Sequence, residues 1–245
     1  MTRFWVGTSG WQYDDWAGRF YPDDLPKTRW LEHYVRNFGC VELNNSFYRQ
    51  PTAASWKRWR EAAPRGFRFA VKASRFLTHI KRLKDPQASL KRVFDGAEKL
   101  EDNLGPVLYQ LPPTYNRNDE NVERLESFLE LLPARRDHVI EFRDASWFGD
   151  ETVDLLRKHR VAFCGHDMDH EHETPVVATA ALAYVRFHGS ASQKYQGKYT
   201  NAQLQAWAKK LRALGHDADA VWAFFNNDRH GYAVENACRL RELLG

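Results

Sequence analysis

Eight short apolar runs recur along the chain, and most of them close on a charged or amide residue. They occupy residues 4–8, 40–44, 67–72, 107–110, 138–143, 161–167, 183–188 and 221–227. Most of the intervals between them carry apolar residues at helical spacing. Trp30, Leu31, Tyr34, Val35 and Phe38 mark one helix over 28–38, and a second over 53–62 is stopped by Pro64. Leu90, Val93, Phe94, Ala97 and Leu100 mark a third over 87–103, and Val122, Leu125, Phe128, Leu129 and Leu132 a fourth. Three more are expected over 152–159, 202–214 and 232–244. Strand–helix alternation repeated in this way predicts an α/β protein, a TIM-like (β/α)8 barrel with parallel strands. The interval 170–181 breaks the pattern with Pro175 and scattered Thr and Glu, so one weak or missing barrel helix is expected between strands 6 and 7. The length of 245 residues suits one such barrel, and the chain carries no linker, repeat or low-complexity tract, so 1–245 reads as a single domain.

Strand parity locates the chemistry. Side chains alternate between the two faces of a strand, so Glu42 shares a face with Asn44, Glu141 with Arg143, and Arg186 with His188. All six lie at the C-terminal ends of their runs, where the strands of a barrel converge on one mouth. The intervening Val41, Leu43, Ile140, Phe142, Val185 and Phe187 are expected to face the helices.

Three carboxylates at strand ends, Glu42, Glu141 and Asp167, can serve a metal site, an acid–base pair or a glycoside-cleaving pair. Lys72, Arg143 and Arg186, at the ends of the third, fifth and seventh runs, balance them. A nearly neutral mouth rich in cations suits a small anionic ligand better than a tightly held divalent metal, so no metal ligand is assigned and no cofactor is fixed. His188, at a strand end, and His79, in the loop after the third run, are candidate proton carriers. Asn226 and Asn227, closing the eighth run, can grip a phosphate or a sugar hydroxyl as well as form a turn. The first loop carries Trp11, Tyr13, Trp16, Phe20 and Tyr21, which suit a stacking platform or a packed cover equally well. Residues 166–173 have the composition of a metal cluster but no ligand motif, and read as a charged loop from which Asp167 alone is carried forward.

Bulk properties add limits. The net charge of +4 permits a phosphate-bearing partner without requiring one. Arg58, Arg60, Arg65, Arg68, Lys81, Arg82 and Lys84 fall in one part of the barrel, either as a face that tracks a nucleic-acid backbone or as an ordinary solvated surface. Cys40, Cys164 and Cys238 lack metal-ligand spacing and read as buried free thiols of a cytoplasmic protein. No apolar run is long enough for a membrane span.

The same residues carry a family resemblance. Gly7-Thr8-Ser9-Gly10-Trp11-Gln12-Tyr13, Trp16 and Phe20-Tyr21-Pro22 resemble the opening signature of the YecE-like family, domain of unknown function 72. Val41 to Tyr48, Phe69-Ala70-Val71-Lys72 with Thr78-His79, Gln110-Leu111-Pro112-Pro113, Glu141-Phe142-Arg143 with Ser146-Trp147, Arg186-Phe187-His188-Gly189 and Phe225-Asn226-Asn227-Asp228 continue it over essentially the whole chain. The resemblance implies a TIM-barrel-like fold and adds Tyr48, Gln110 and Trp147 to the candidate substrate contacts. It also implies similarity to the metal-dependent sugar isomerase and apurinic endonuclease superfamily, whose metal ligands Glu42, Glu141, Asp167 and His188 would mimic.

The resulting expectation is a hydrolase-like enzyme acting on a phosphate-bearing substrate, such as a nucleotide, a nucleic acid or a sugar phosphate. Lys72, Arg143 and Arg186 would hold the anion, Glu42 or Glu141 would be the base, His188 or His79 the acid, and Trp11 and Tyr13 would stack on the ring. The alternatives are a non-catalytic nucleic-acid or metabolite-binding protein and a metal-dependent enzyme of the superfamily type.

Overall fold

The computed structural model describes residues 2–167, 174–189 and 197–245. Eight parallel strands run β1 (Arg3–Thr8), β2 (Cys40–Leu43), β3 (Arg68–Lys72), β4 (Leu104–Gln110), β5 (His138–Glu141), β6 (Ala162–His166), β7 (Leu182–Phe187) and β8 (Ala220–Phe225). They pair in the order β1-β8-β7-β6-β5-β4-β3-β2, and a single bridge between Ser9 and Glu42 brings β1 against β2. The sheet therefore curls into the expected (β/α)8 barrel. The helices between are α1 (Trp30–Asn37), α2 (Asn45–Tyr48), α3 (Ala53–Ala62), α4 (Gln87–Ala97), α5 (Asp119–Glu130), α6 (Asp150–Lys158), α7 (Asn201–Asp217) and α8 (Tyr232–Leu244).

The alternation of residue types explains the layering. Val41, Leu43, Val185 and Phe187 join one apolar cluster with helix residues such as Leu31, Trp56 and Leu204, and Ile140 and Phe142 join a second with Leu125 and Leu156. The other parity fills the barrel: Trp5, Cys40, Ala70, Leu108, Val139, Ala162, Cys164, Tyr184, Trp222 and Phe224. Trp5 and Trp222 stack at 4.9 Å in the lower barrel, with the Arg3 guanidinium 3.8 Å above the Trp5 ring. The three cysteines are free; Cys40 and Cys164 are buried as expected, whereas Cys238 on α8 is only half-buried.

The connection from β6 to β7 contains no helix among its described residues, 174–181. Two threonines bind the segment to β6 instead. Thr174 Oγ1 accepts from the His166 amide at 2.9 Å, and Thr179 Oγ1 accepts from the Phe163 amide at 2.8 Å and donates to Val161 O at 2.6 Å. Gly165 makes room for this strap, since a Cβ there would stand 3.2 Å from Pro175 O. Residues 168–173, the acidic and histidine-rich stretch, lie outside the described residues. Among the described residues no helix is long and apolar enough to cross a membrane.

Where β1 meets β2 the packing is tight. A Cβ on Gly7 would lie 2.5 Å from the carbonyl oxygen of Cys40, a backbone atom that cannot swing away. Gly7→Ala should push the two strands apart and cost about 1–3 kcal/mol. A denaturant midpoint unchanged from the parent would contradict the closure described here.

Candidate functional site

The barrel interior changes from apolar to ionic one layer below the mouth. Arg186 on β7 is 1% exposed and sits between two fully buried glutamates. Its Nη1 donates to Glu141 Oε2 at 2.7 Å and its Nη2 to Glu42 Oε1 at 2.8 Å. Glu42 also accepts from Ser9 Oγ at 2.8 Å and from the Tyr184 hydroxyl at 2.7 Å. The second oxygen of Glu141 pairs with Arg143. The same Arg143 nitrogen donates to Nε2 of His188 at 3.0 Å. The His188 amide in turn donates to Asp167 Oδ1 at 2.8 Å, and the Tyr199 hydroxyl donates to Asp167 Oδ2. One chain of contacts thus runs across the mouth from Ser9 on the β1 end to Tyr199 before α7. Strand register builds it, because Gln110 lies beside Glu141 and His166 beside Arg186.

Lys72 ends β3 in the same layer and is treated differently. It is buried, its Nζ stands 4.1 Å from the Phe47 ring, and among the described residues no carboxylate lies within 4 Å of it. His79 stands on a π-helical turn (Phe76–Ile80), its Nδ1 at 2.9 Å from Thr78 Oγ1 and its ring edge-on to Phe47 at 5.1 Å. Gln110 contributes a long 3.5 Å contact to His79 Nε2.

These environments fix the protonation states. Burial would raise the Glu141 carboxyl, but Arg143 and Arg186 overcome it and hold the group at about 2. Burial, assisted by the Arg186 and Arg143 charges, lowers the Lys72 amine from 10.5 to about 7. Burial and the Lys72 charge lower His79 to about 4, and burial lowers His166 to about 4 as well. His188 is driven well below the ordinary imidazole value by burial and by Arg143. Asp228, beyond β8, moves the other way: burial pushes its carboxyl up to about 8. The Tyr13 hydroxyl meets it and also donates its proton to Ser9 O at 2.5 Å.

The expected roles therefore change. Burial and the neighbouring cations favour the neutral imidazole of both His79 and His188, which suits a base better than an acid. Neither Glu42 nor Glu141 is a free base, because both are held by Arg186. Arg186 cannot hold an outside anion, since its two terminal nitrogens already serve the glutamates. Other candidates fall outside the mouth. Trp11 is 3% exposed and packs edge-on against Trp59 at 5.8 Å, so it is core and not a stacking platform. Trp147 is fully buried between Tyr115 and Phe142, with its indole N–H given to Tyr115 O at 2.6 Å. Trp16 and Tyr21 are likewise buried, so the first loop is a packed cover from which Tyr13 alone reaches the ionic layer. Asn227 is buried and donates to Gly197 O and Asn236 Oδ1 at 2.9 and 3.0 Å, a structural use. Asn226 is half-buried at the end of β8, and its amide donates to Phe187 O. Asn44 is half-buried at the end of β2 with its Oδ1 unpartnered, whereas Tyr48 is 80% exposed on the rim. Ser9, Tyr184 and Asp228 were not singled out from the sequence. Tyr184 was reachable by parity, two residues before Arg186 on the same face.

A divalent metal does not fit this donor set. The Arg186 guanidinium occupies the space between Glu42 and Glu141 that a cation would need, and Asp167 is engaged by Tyr199 and the His188 amide. Among the described residues no three His, Cys, Asp or Glu side chains gather as a cation site. Glu42 and Glu141 are unsuited to serve together as a glycosidase pair, because one carboxyl must carry a proton whereas Arg186 bonds to both.

The fold and the polar strand ends define a TIM-barrel protein with a buried, charge-paired mouth. The chain belongs to the DUF72 family, described as a protein of unknown function, whose model matches residues 5–245. It is 29% identical to the UPF0759 protein YunF of Bacillus subtilis (strain 168) over 98% of this chain and 94% of that one. It is 28% identical to the UPF0759 protein YecE of Escherichia coli (strain K12), over 62% of this chain and 54% of YecE. Among solved structures it resembles a DUF72 family protein of Thermotoga maritima (TM1631), with a TM-score of 0.89 and 31% identity over 99% of each chain. A glycoside hydrolase family 5 enzyme of Prevotella bryantii superposes with a TM-score of 0.52 at 10% identity over 99% of this chain and 96% of that one, which shows the shared fold alone.

Proposed function

We propose that the mouth is the active site of a hydrolase-like enzyme acting on a phosphate-bearing substrate, with Lys72 as the anion-binding cation. The observation that carries this reading is the contrast among the three cations. Arg143 and Arg186 are spent on the two glutamates, while the Lys72 amine stands buried beside an aromatic ring with no carboxylate within 4 Å among the described residues. At an effective dielectric of 20, an anionic oxygen about 4 Å away is worth roughly 4 kcal/mol to the charged amine. That corresponds to about three pKa units, enough to bring Lys72 back to its ordinary value. Anion binding is therefore proton-linked.

The neutral His79 imidazole beside Lys72 is the base suited to activating a water, and Asp228 is the acid suited to protonating the leaving oxygen. Environments that push two titratable groups apart are what assign acid and base. The reading is supported by the Arg186 and Glu42 charges, which act on both Asp228 and Lys72.

Two measurements test this. Calorimetric titration with sulfate, which does not titrate near neutrality, should show uptake of close to one proton per anion at pH 8, from the dependence of the heat on the buffer. Lys72→Met should abolish both the binding and the uptake; binding without uptake would refute the role of Lys72. Asp228→Asn should lower turnover of a phosphate ester by about 10²–10⁴-fold while preserving the fold. A raised carboxyl favours the native state below about pH 4 and loses that contribution as pH rises through 8. The variant should thus match the parent at pH 4 and exceed its stability by pH 8. Equal stability at both pH values would show that Asp228 is ionised in the native state.

A further inference from the structure

The charge of this chain is not spread evenly. Residues 45–84 hold eleven of the 36 basic residues and one of the 32 acidic ones, Glu61. The remainder of the chain is net acidic, with 25 basic against 31 acidic residues, so the overall +4 conceals a strongly basic sector. That sector comprises α2, α3, β3 and the π-helical turn, and its upper part lies on the rim of the mouth. Arg49, Arg75, Lys81, Arg82 and Lys84 are exposed there, in the loops leaving β2 and β3. Some exposed cations elsewhere are matched, as Lys91 is by Asp95, Arg117 by Glu151 and Lys158 by Glu126, whereas others such as Arg19, Arg36, Lys99 and Lys209 stand apart from one another around the barrel. Among the described residues none of the five rim cations has a carboxylate within 4 Å.

The same rim holds three of the four large apolar side chains exposed on the described surface: Tyr48 at 80%, Ile80 at 60% and Phe76 at 48%. An exposed ring among unpaired cations is the combination that single-stranded nucleic acids use, with bases on the rings and phosphates on the cations. The loop that bears the cations is built rather than slack. Arg82, Leu83 and Asp85 take left-handed backbone angles, with φ of 47°, 63° and 44°. Leu83 is buried beneath them at 1% exposure, its amide bonded to Leu77 O at 3.1 Å. Lys81, Arg82 and Lys84 are thereby held outward. One ring connects rim to mouth: Phe47 packs edge-on to Tyr48 at 5.0 Å and lies 4.1 Å from the Lys72 amine.

We infer that the β2–β3 rim is a landing surface for single-stranded nucleic acid, with Tyr48 and Phe76 stacking on bases and Arg49, Arg75, Lys81 and Lys84 holding phosphates. The strand delivers one phosphate past Phe47 to Lys72. This names the substrate class for the function proposed above and rests on that reading for its inner end. A lipid surface is the other partner that basic and apolar side chains can meet. The rim favours the strand because its two larger contacts are aromatic and because it opens into an anion-compatible mouth rather than onto an apolar face.

The test is fluorescence anisotropy with labelled twelve-residue oligo-dT and oligo-rU, beside a hairpin duplex and vesicles of phosphatidylserine and phosphatidylcholine. Single strands should bind, the dT and rU arms deciding which sugar is preferred. The salt slope should be about −0.7 for each phosphate held, so between −2 and −3 for three or four contacts. Tyr48→Ala and Phe76→Ala should each weaken binding by about tenfold or more, and an Arg75→Glu, Lys81→Glu, Lys84→Glu variant should flatten the slope. All are surface changes whose fold is checked by an unshifted melting temperature. Vesicle binding without strand binding, equal affinity for the duplex, or insensitivity to loss of both rings would overturn the inference. Sulfate-linked proton uptake without strand binding would sink the rim and leave Lys72's role standing. Strand binding that is unchanged by Lys72→Met, in a protein that takes up no proton with sulfate, would sink the inner site and leave the rim.

Discussion

Arg186→Met is expected to cost about 3–5 kcal/mol of stability at pH 7, the usual result of leaving buried charges without their partner. Here two fully buried carboxylates lose the guanidinium they share, and the long apolar side chain that replaces it cannot satisfy either. The sign of the pH dependence follows from Glu141. Its native carboxyl is held at about 2, below the ordinary 4.5, so its contribution is complete above pH 4.5 and lost as pH falls toward 2. The deficit of the variant should therefore be largest near neutrality and shrink as pH falls and the stranded Glu141 takes up a proton. Combining Arg186→Met with Glu42→Gln and Glu141→Gln should recover part of the loss, because contacting residues are not additive. A single variant as stable as the parent at pH 7 would mean that the guanidinium does not hold the glutamates.

Lys72→Met is expected to do the reverse to the fold while removing the function. Keeping an amine charged at this position is unfavourable: its native value of about 7 lies below the unfolded 10.5. The penalty is small near pH 10 and grows as pH falls, reaching its full size below pH 7. A thioether of similar length should thus stabilise the protein by roughly 2–4 kcal/mol at pH 7 and by less than about 1 kcal/mol at pH 10. Anion binding and any turnover should vanish. Denaturant titrations at the two pH values check the sign, and a variant that is destabilised at pH 7 would show that the amine makes a favourable native contact. A residue whose removal stabilises the fold and abolishes binding is held for function and not for structure.

The barrel was legible because a parallel strand reports itself as an apolar run and its ends as polar residues. Parity alone placed Glu42, Glu141 and Arg186 in one layer, and the broken pattern around Pro175 marked the connection that holds no helix among its described residues. What composition could not supply was burial. The ordinary pKa values make His79 and His188 natural acids and the glutamates natural bases. Arg143 and Arg186 beside Glu141 hold its carboxyl low, and burial around Asp228 raises its carboxyl. Trp11 and Trp147 looked like ligand contacts because an exposed ring and a core ring have the same letter; edge packing on Trp59 and an indole proton given to Tyr115 O make them structural. The helix Asn45–Tyr48 and the turn Phe76–Ile80 are too short to show periodicity, and it is these two that present the rim.

Lysine side-chain NMR on protein labelled at the Cε carbons, with the Lys72 signal assigned by its absence in Lys72→Met, tests the central claim most directly. The Lys72 resonance should titrate near pH 7 in the free protein and move up by two to three units when sulfate saturates the mouth. A Lys72 amine that titrates near 10.5, unmoved by sulfate, would contradict the account.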